Sequence, residues 1–241
     1  MIVTAHRGFS GLYPENTMLA FAKAEEAGAD EIELDVQLSR DGQVVVFHDD
    51  SLERLTGQRG SVRDFIYDEL EKMNVAKGVY GDKFGFNPIP TLNQYFAWVK
   101  NTGIKTNIEI KNGRYYFEEL EEKTLALIAE HNVQEKVYFS SFTHVSLLKC
   151  KKINPSIPCG ALVVMAAGNT GYYLRSNGLD FCHPEIKSLN DEIVADCEKY
   201  GVGINVWTVN DMAGLQKAHA WKCRGVITDF PDVCKAWISK N

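Results

Sequence analysis

At 241 residues, 45% of them hydrophobic and 24% charged, the chain has an ordinary globular composition and a length that suits one barrel-sized domain or two small ones. A formal net charge of −6 argues against a general nucleic-acid binder, which needs a basic stripe to displace counterions, but allows a small anion held by a few local cations. No run approaches 18 apolar residues, and the opening MIVTAHRGF shows no basic segment leading into a long apolar one. The expectation is a cytoplasmic protein without membrane insertion.

Short strand-like runs alternate with helical ones along almost the whole chain. The strand candidates are residues 2–6, 31–37, 106–110, 137–140, 159–164, 179–183, 204–208 and 225–228. Helical patterns follow at 14–29, 91–103, 117–132, 143–154, 167–178, 189–201, 210–222 and 230–240. In the first of these, Pro14 suits an opening turn and Gly28 a C-terminal cap. Eight strand-then-helix units imply a parallel sheet with right-handed crossovers closed into a barrel, the TIM (β/α)8 barrel of the α/β class. The stretch 49–90 is too long for a simple loop and reads as an insertion into a single domain spanning 1–241, placed over the C-terminal face. The six cysteines lack C-x-x-C spacing and all fall in the C-terminal half, which favours reduced thiols over a disulfide framework or a zinc site.

The hairpin EIELDVQLSRDGQVVVFHDD (31–50) carries an unusual load of charge for strands that otherwise read as buried. Alternation puts Glu33 and Asp35 on one face, about 6 to 7 Å apart along the strand, and Ile32, Leu34 and Val36 on the other. The short RDGQ turn allows only an antiparallel return, which brings His48 toward the acids. In a barrel, strand C-termini converge on one site. There the chain collects His6, Arg7 and Gly8 from the first strand, Glu33 and Asp35 from the second, His48 and Asp49 from the arm, and Glu109 and Lys111 from NIEIK. Asn205 and Trp207, then Thr228 and Asp229, come from the last two strands.

Glu33, Asp35 and Glu109 repel one another unless a cation sits among them, and their hard oxygens suit Mg²⁺ or Ca²⁺. The competing reading is a structural ion network with Arg7 and Lys111. His6 and His48, beside such a cluster, read as an acid/base pair. Arg7 and Lys111 add fixed positive charge of the kind that stabilises a phosphoryl transition state, and Trp207 offers a flat apolar wall. His131, His144, His183 and His219 read as structural or surface residues.

Together, the run HRGFSGLYPENTMLAFAKAEEAGADEIELDVQLSRDGQVVVFHDDSLERLTG, with IPTL (89–92), NIEIK (107–111), VWTVN (206–210) and GVITDFPD (225–232), closely resembles the glycerophosphodiester phosphodiesterase family. The resemblance covers essentially the whole chain. It implies a TIM barrel that hydrolyses glycerophosphodiesters, small-molecule substrates, to glycerol 3-phosphate and an alcohol with a divalent cation. By position it implies Glu33, Asp35 and Glu109 as metal ligands, His6 and His48 as acid/base residues, and Arg7 and Lys111 as phosphate contacts. Two rivals stand beside it: a lipid-directed phosphodiesterase of the lysophospholipase D or sphingomyelinase D type, and a non-catalytic binding barrel. Oligomeric state has no signature in the sequence.

Overall fold

The computed structural model describes residues 1–241. Its strands are β1 (Ile2–Ala5), β2 (Glu31–Leu38), β3 (Val44–Val46), β4 (Lys105–Ile110), β5 (Val137–Ser141), β6 (Cys159–Val163), β7 (Phe181–Pro184), β8 (Gly203–Val206) and β9 (Gly225–Thr228). All except β3 pair in parallel, in the order β1-β9-β8-β7-β6-β5-β4-β2, and the β1–β2 pairing closes the ring. The closed eight-stranded parallel barrel expected from the repeat is present. β3 is the antiparallel arm, set against β2 with Val36 opposite Val46 and Leu38 opposite Val44.

Helices α1 (Met18–Glu26), α5 (Leu92–Val99), α6 (Leu120–His131), α7 (His144–Ile153), α8 (Thr170–Ser176), α9 (Asp191–Lys199), α10 (Met212–Ala220) and α11 (Pro231–Ile238) surround the barrel. Three single-turn helices, α2 (Glu53–Thr56), α3 (Tyr67–Leu70) and α4 (Lys77–Tyr80), lie within the insertion. Every residue of β2 is buried. Ile32, Leu34 and Val36 join the apolar layer under the helices, while Glu31, Glu33, Asp35 and Gln37 point into the barrel.

One local expectation is corrected. The first helix begins at Met18, not near Pro14, because Asn16 takes a left-handed conformation and the Thr17 hydroxyl caps the Ala20 N–H at 3.1 Å. The residues released from the helix form a loop that carries Glu15 and Asn16 toward the site. The insertion is built on the arm. It has its own apolar core, Val45 and Phe47 of the arm with Leu52, Leu55, Leu70 and Ile89, and it packs on the β1–α1 loop. The Tyr80 hydroxyl donates to the Tyr13 carbonyl there at 3.3 Å, and Phe84 packs on the Tyr13 ring.

The lower barrel is closed by a polar cluster. Glu31 accepts from Thr4 (2.9 Å), Tyr138 (2.7 Å) and Arg224 (2.8 Å), and Arg224 also donates to Asn205, whose amide donates to His183 Nε2. Asn205, expected on the working face, therefore belongs to the floor. Burial, reinforced by the nearby Arg224, pushes the His183 imidazole down to about 3, so it stays neutral. All six cysteines are buried and unbridged.

Candidate active site

The acids come from adjacent strands in matched register, Asp35 of β2 beside Glu109 of β4 and Glu33 beside Asn107. One carboxylate oxygen from each of Glu33, Asp35 and Glu109 lies within 4.8 Å of the others, and all three residues are buried. The tight His6-Arg7-Gly8 turn lets the Arg7 backbone N–H donate to Glu33 Oε2 at 2.9 Å. A Cβ at Gly8 would sit 2.7 Å from the Ala20 carbonyl carbon, so only glycine allows that turn to lie against α1. Asn16 Nδ2 donates to Asp35 Oδ2 at 2.8 Å. Lys111 Nζ donates to Glu109 Oε1 at 2.9 Å and stands 3.7 Å from Asp35, while Arg7 Nε is 3.6 Å from Asp35.

These cations do not satisfy the acids. Glu33 Oε1 and Asp35 Oδ1 are buried without a hydrogen-bond partner, a condition that costs about 1–3 kcal/mol for a neutral group and more for a charged one. Burial, then the like charges of Asp35 and Glu109, push the Glu33 carboxyl well above the usual range. Burial also raises Glu109 despite Lys111, whereas His48, Lys111 and Arg7 overcome burial to hold Asp35 low. Burial alone would lower the Lys111 ammonium, but Glu109 and Asp35 lift it to about 12. Two unpartnered oxygens on a three-carboxylate cluster form an all-oxygen donor set suited to a hard divalent cation. The ion pairs and a cation site thus share the same acids.

Each histidine is held by a carboxylate at Nδ1. His6 Nδ1 lies 2.6 Å from Asp229 Oδ1, and Asp229 also accepts from Ser10 Oγ (3.0 Å) and Asn210 Nδ2 (2.5 Å). Burial works against the Asp229 charge, but His6, Asn210 and Ser10 together keep its carboxyl below the ordinary range. His48 Nδ1 lies 2.7 Å from Asp49 Oδ1, and Arg54 grips Asp49 at 2.6 and 3.0 Å. Burial opposes the Asp49 charge too, and His48 and Arg54 hold its carboxyl far down. A carboxylate on Nδ1 fixes the ring's orientation and directs Nε2 to the other side, the arrangement proton transfer needs.

A cavity of about 230 Å³ at the C-terminal face joins these groups. His6, Arg7, Glu33, His48, Glu109 and Trp207 line it, and Asp35 and Lys111 stand beside Glu109 in the same cluster. No residue of 49–90 lines it. Asn107, Ser140, Phe142, Leu162, Thr208 and Ile227 complete the lining. The Trp207 indole is anchored by a 2.6 Å hydrogen bond to the His183 carbonyl and meets Phe142 edge to face at 5.6 Å.

Sequence reasoning placed Asp49 and Asp229 near the site without giving either a partner. Adjacency in HDD was the available signal for Asp49; the His6–Asp229 pair closes across 223 positions and has no local signal. Asn107 was available by period two from Glu109. Phe142 and Leu162 carried no cue, because an apolar residue at a strand end reads as core.

The chain matches the Glycerophosphoryl diester phosphodiesterase family over residues 6–233. It is 38% identical over 240 residues to a glycerophosphodiester phosphodiesterase of Caldanaerobacter subterraneus subsp. tengcongensis, covering 100% of this chain and 98% of that protein. It is 36% identical over 233 residues to one of Bacillus altitudinis, covering 95% of each. A solved Oleispira antarctica phosphodiesterase, in complex with the product sn-glycerol-3-phosphate, superposes with a TM-score of 0.88 at 28% identity, over 99% of this chain and 97% of that one. With the barrel, the acid cluster and the paired histidines in place, this chain belongs to the glycerophosphoryl diester phosphodiesterase family.

Proposed function

We propose that the protein hydrolyses glycerophosphodiesters to sn-glycerol 3-phosphate and an alcohol, dependent on a divalent cation, Mg²⁺ or Ca²⁺, with His6 and His48 as the acid/base pair. The observation that carries this reading is one small cavity bounded by two histidines, each fixed by a carboxylate at Nδ1, beside a three-carboxylate cluster with unpartnered buried oxygens. The likeness to relatives named as glycerophosphodiester phosphodiesterases supports it.

Glu33, Asp35 and Glu109 would hold the cation, which when bound supplies Lewis-acid polarisation of the phosphodiester. Arg7, on the cavity wall, contacts a phosphate oxygen, and Lys111 adds its positive field from beside Glu109. One histidine takes the proton of the attacking oxygen, from water or from the glycerol hydroxyl next to the phosphate, as the new P–O bond forms. The other gives a proton to the departing alkoxide as the old P–O bond breaks, so proton and leaving group balance. In the glycerol route, water then opens the cyclic phosphate. Trp207 packs against the substrate's apolar parts. The volume is small for a ligand pocket and suits a compact diester. Six free buried thiols suit a reducing, cytoplasmic setting, and no helix is long and apolar enough to cross a membrane.

The test is glycerol 3-phosphate release from glycerophosphocholine and glycerophosphoethanolamine by EDTA-stripped protein, before and after addition of Mg²⁺ or Ca²⁺. Metal-restored release is expected. No release from folded protein under either metal overturns the reading.

A second reading, lysophospholipase D or sphingomyelinase D chemistry, draws on the apolar far rim, where Phe142, Val164 and Met165 are exposed. A long-chain lysophospholipid turned over faster than glycerophosphocholine would favour it. The non-catalytic reading expects broken acids or histidines, and all are intact.

A further inference from the structure

The two histidines are held in different ways. Asp229, the partner of His6, is fixed by the neutral donors Ser10 and Asn210 on barrel loops. Asp49, the partner of His48, is fixed by the Arg54 guanidinium, and that group does a second thing. Its Nη1 and Nη2 donate to Glu15 Oε2 and Oε1 at 2.9 and 2.7 Å, while its Nε and Nη2 donate to Asp49 at 2.6 and 3.0 Å. Glu15 Oε1 in turn accepts from Arg7 Nη1 at 2.8 Å. A single planar group therefore ends two chains of contact, Arg54–Asp49–His48 and Arg54–Glu15–Arg7.

The residue comes from the insertion. In SLERLTG, Leu52 and Leu55 are buried in the insertion's own core, which turns Arg54 between them toward the mouth. Gly78 of α4 lies against the Arg54 carbonyl, where a Cβ would stand 2.1 Å from the oxygen, so the backbone carrying Arg54 is clamped. The side chain is 45% exposed. Exposed ion pairs add little to stability, so a purely structural role predicts little change when it is removed.

We infer that Arg54 is a positioning residue that sets the acid/base histidine His48 and the phosphate contact Arg7 at once, making the insertion part of the catalytic apparatus. This rests on the proposed reaction. Only a guanidinium spans both carboxylates; an ammonium is a point charge that grips one at a time.

The experiment is steady-state kinetics of metal-loaded Arg54→Ala, Arg54→Lys, Asp49→Asn and the double variant Arg54→Ala/Asp49→Asn on glycerophosphocholine, with folding checked by circular dichroism. A ¹⁵N spectrum of His48 in the wild type and Arg54→Ala serves as a readout independent of turnover. Arg54→Ala is expected to lower kcat about tenfold or more through His48 and to raise KM through Arg7. Methylguanidinium should restore part of the rate, Arg54→Lys should recover little, the double variant should be no slower than the slower single one, and the His48 Nδ1 signal should shift. Kinetics within twofold of wild type, or additive losses with an unmoved His48 signal, overturn the inference. If Arg54→Ala does not fold, Arg54→Lys decides by the same criteria. An inactive wild type condemns the proposed reaction instead, and the His48 spectrum still judges the positioning role.

Discussion

The rim of the barrel divides into two unlike halves. From β1 to β4, with the arm and the end of β9, it carries Arg7, Glu33, Asp35, Glu109 and Lys111 in one cluster of charges, and beside them two histidine–carboxylate pairs, His6 with Asp229 and His48 with Asp49. From β5 to β8, the cavity wall offers Phe142, Leu162 and Trp207 and no charged side chain. The same strand-to-helix unit builds both halves, so the contrast lies in side chains placed at equivalent strand ends. On the proposed reaction it would separate two tasks: the charged half would handle the phosphodiester and its protons, and the apolar half would meet whatever the phosphate carries.

The most severe way to break this division is to disarm the acids. Glu33→Gln and Asp35→Asn should each reduce metal-supported turnover by about 10³-fold, the scale of several kcal/mol of lost transition-state stabilisation, and weaken Mg²⁺ or Ca²⁺ binding in calorimetry. Glu33→Gln should leave the metal-free protein at least as thermally stable as wild type, because it removes a carboxylate whose ionised form burial and the neighbouring acids disfavour and one of whose oxygens has no hydrogen-bond partner. A clear loss of metal-free stability would favour the purely structural network.

Next in size are the histidines. His6→Ala and His48→Ala should each slow catalysis by about 100-fold or more. Near-wild-type turnover in either would remove that residue from the reaction.

The apolar half should respond more gently. Phe142→Ala and Trp207→Ala should raise KM by about three- to tenfold for diesters with bulky apolar alcohols, in keeping with about 1 kcal/mol of lost burial, while changing kcat little. Equal losses across all alcohols would show that this wall supports the phosphate end as well.

The effect least tied to turnover lies in the floor beneath both halves. His183 stays neutral down to about 3, because of burial first and Arg224 second, against an ordinary value of 6.5. The unfolded chain takes up a proton that the native state refuses, so this contribution is complete above pH 6.5. It falls by about 1.4 kcal/mol per unit as pH drops from about 6.5 toward about 3. Urea titrations at pH 7 and pH 5.5 should show a smaller difference for His183→Gln than for wild type.

Much of the charged half was legible in the chain because its signals are local. Period-two alternation put Glu33 with Asp35 and Glu109 with Lys111, and the Asp41-Gly42 turn forced the return that brings in His48. The apolar half was less legible, since Phe142 and Leu162 look like any strand-end core residue until a cavity is found beside them. Asn205 illustrates the opposite error: its position near a strand end suggested the site, but register and the half-buried Arg224 draw it into the floor. Asp229 waited for ring closure, because its hydrogen bond to His6 spans nearly the whole chain.

By itself the amino-acid sequence determined the repeated strand-then-helix plan, the antiparallel arm and the face of each strand that carries acid, because side-chain periodicity and turn chemistry act over a few residues. Only the tertiary structure decided which carboxylate holds which histidine, that Lys111 pairs with Glu109 and Asp35 together, and that Arg54 of the insertion joins His48 to Arg7. Those arrangements depend on the relative placement of groups brought together by barrel closure and by the packing of the insertion's separate core, which no local pattern encodes.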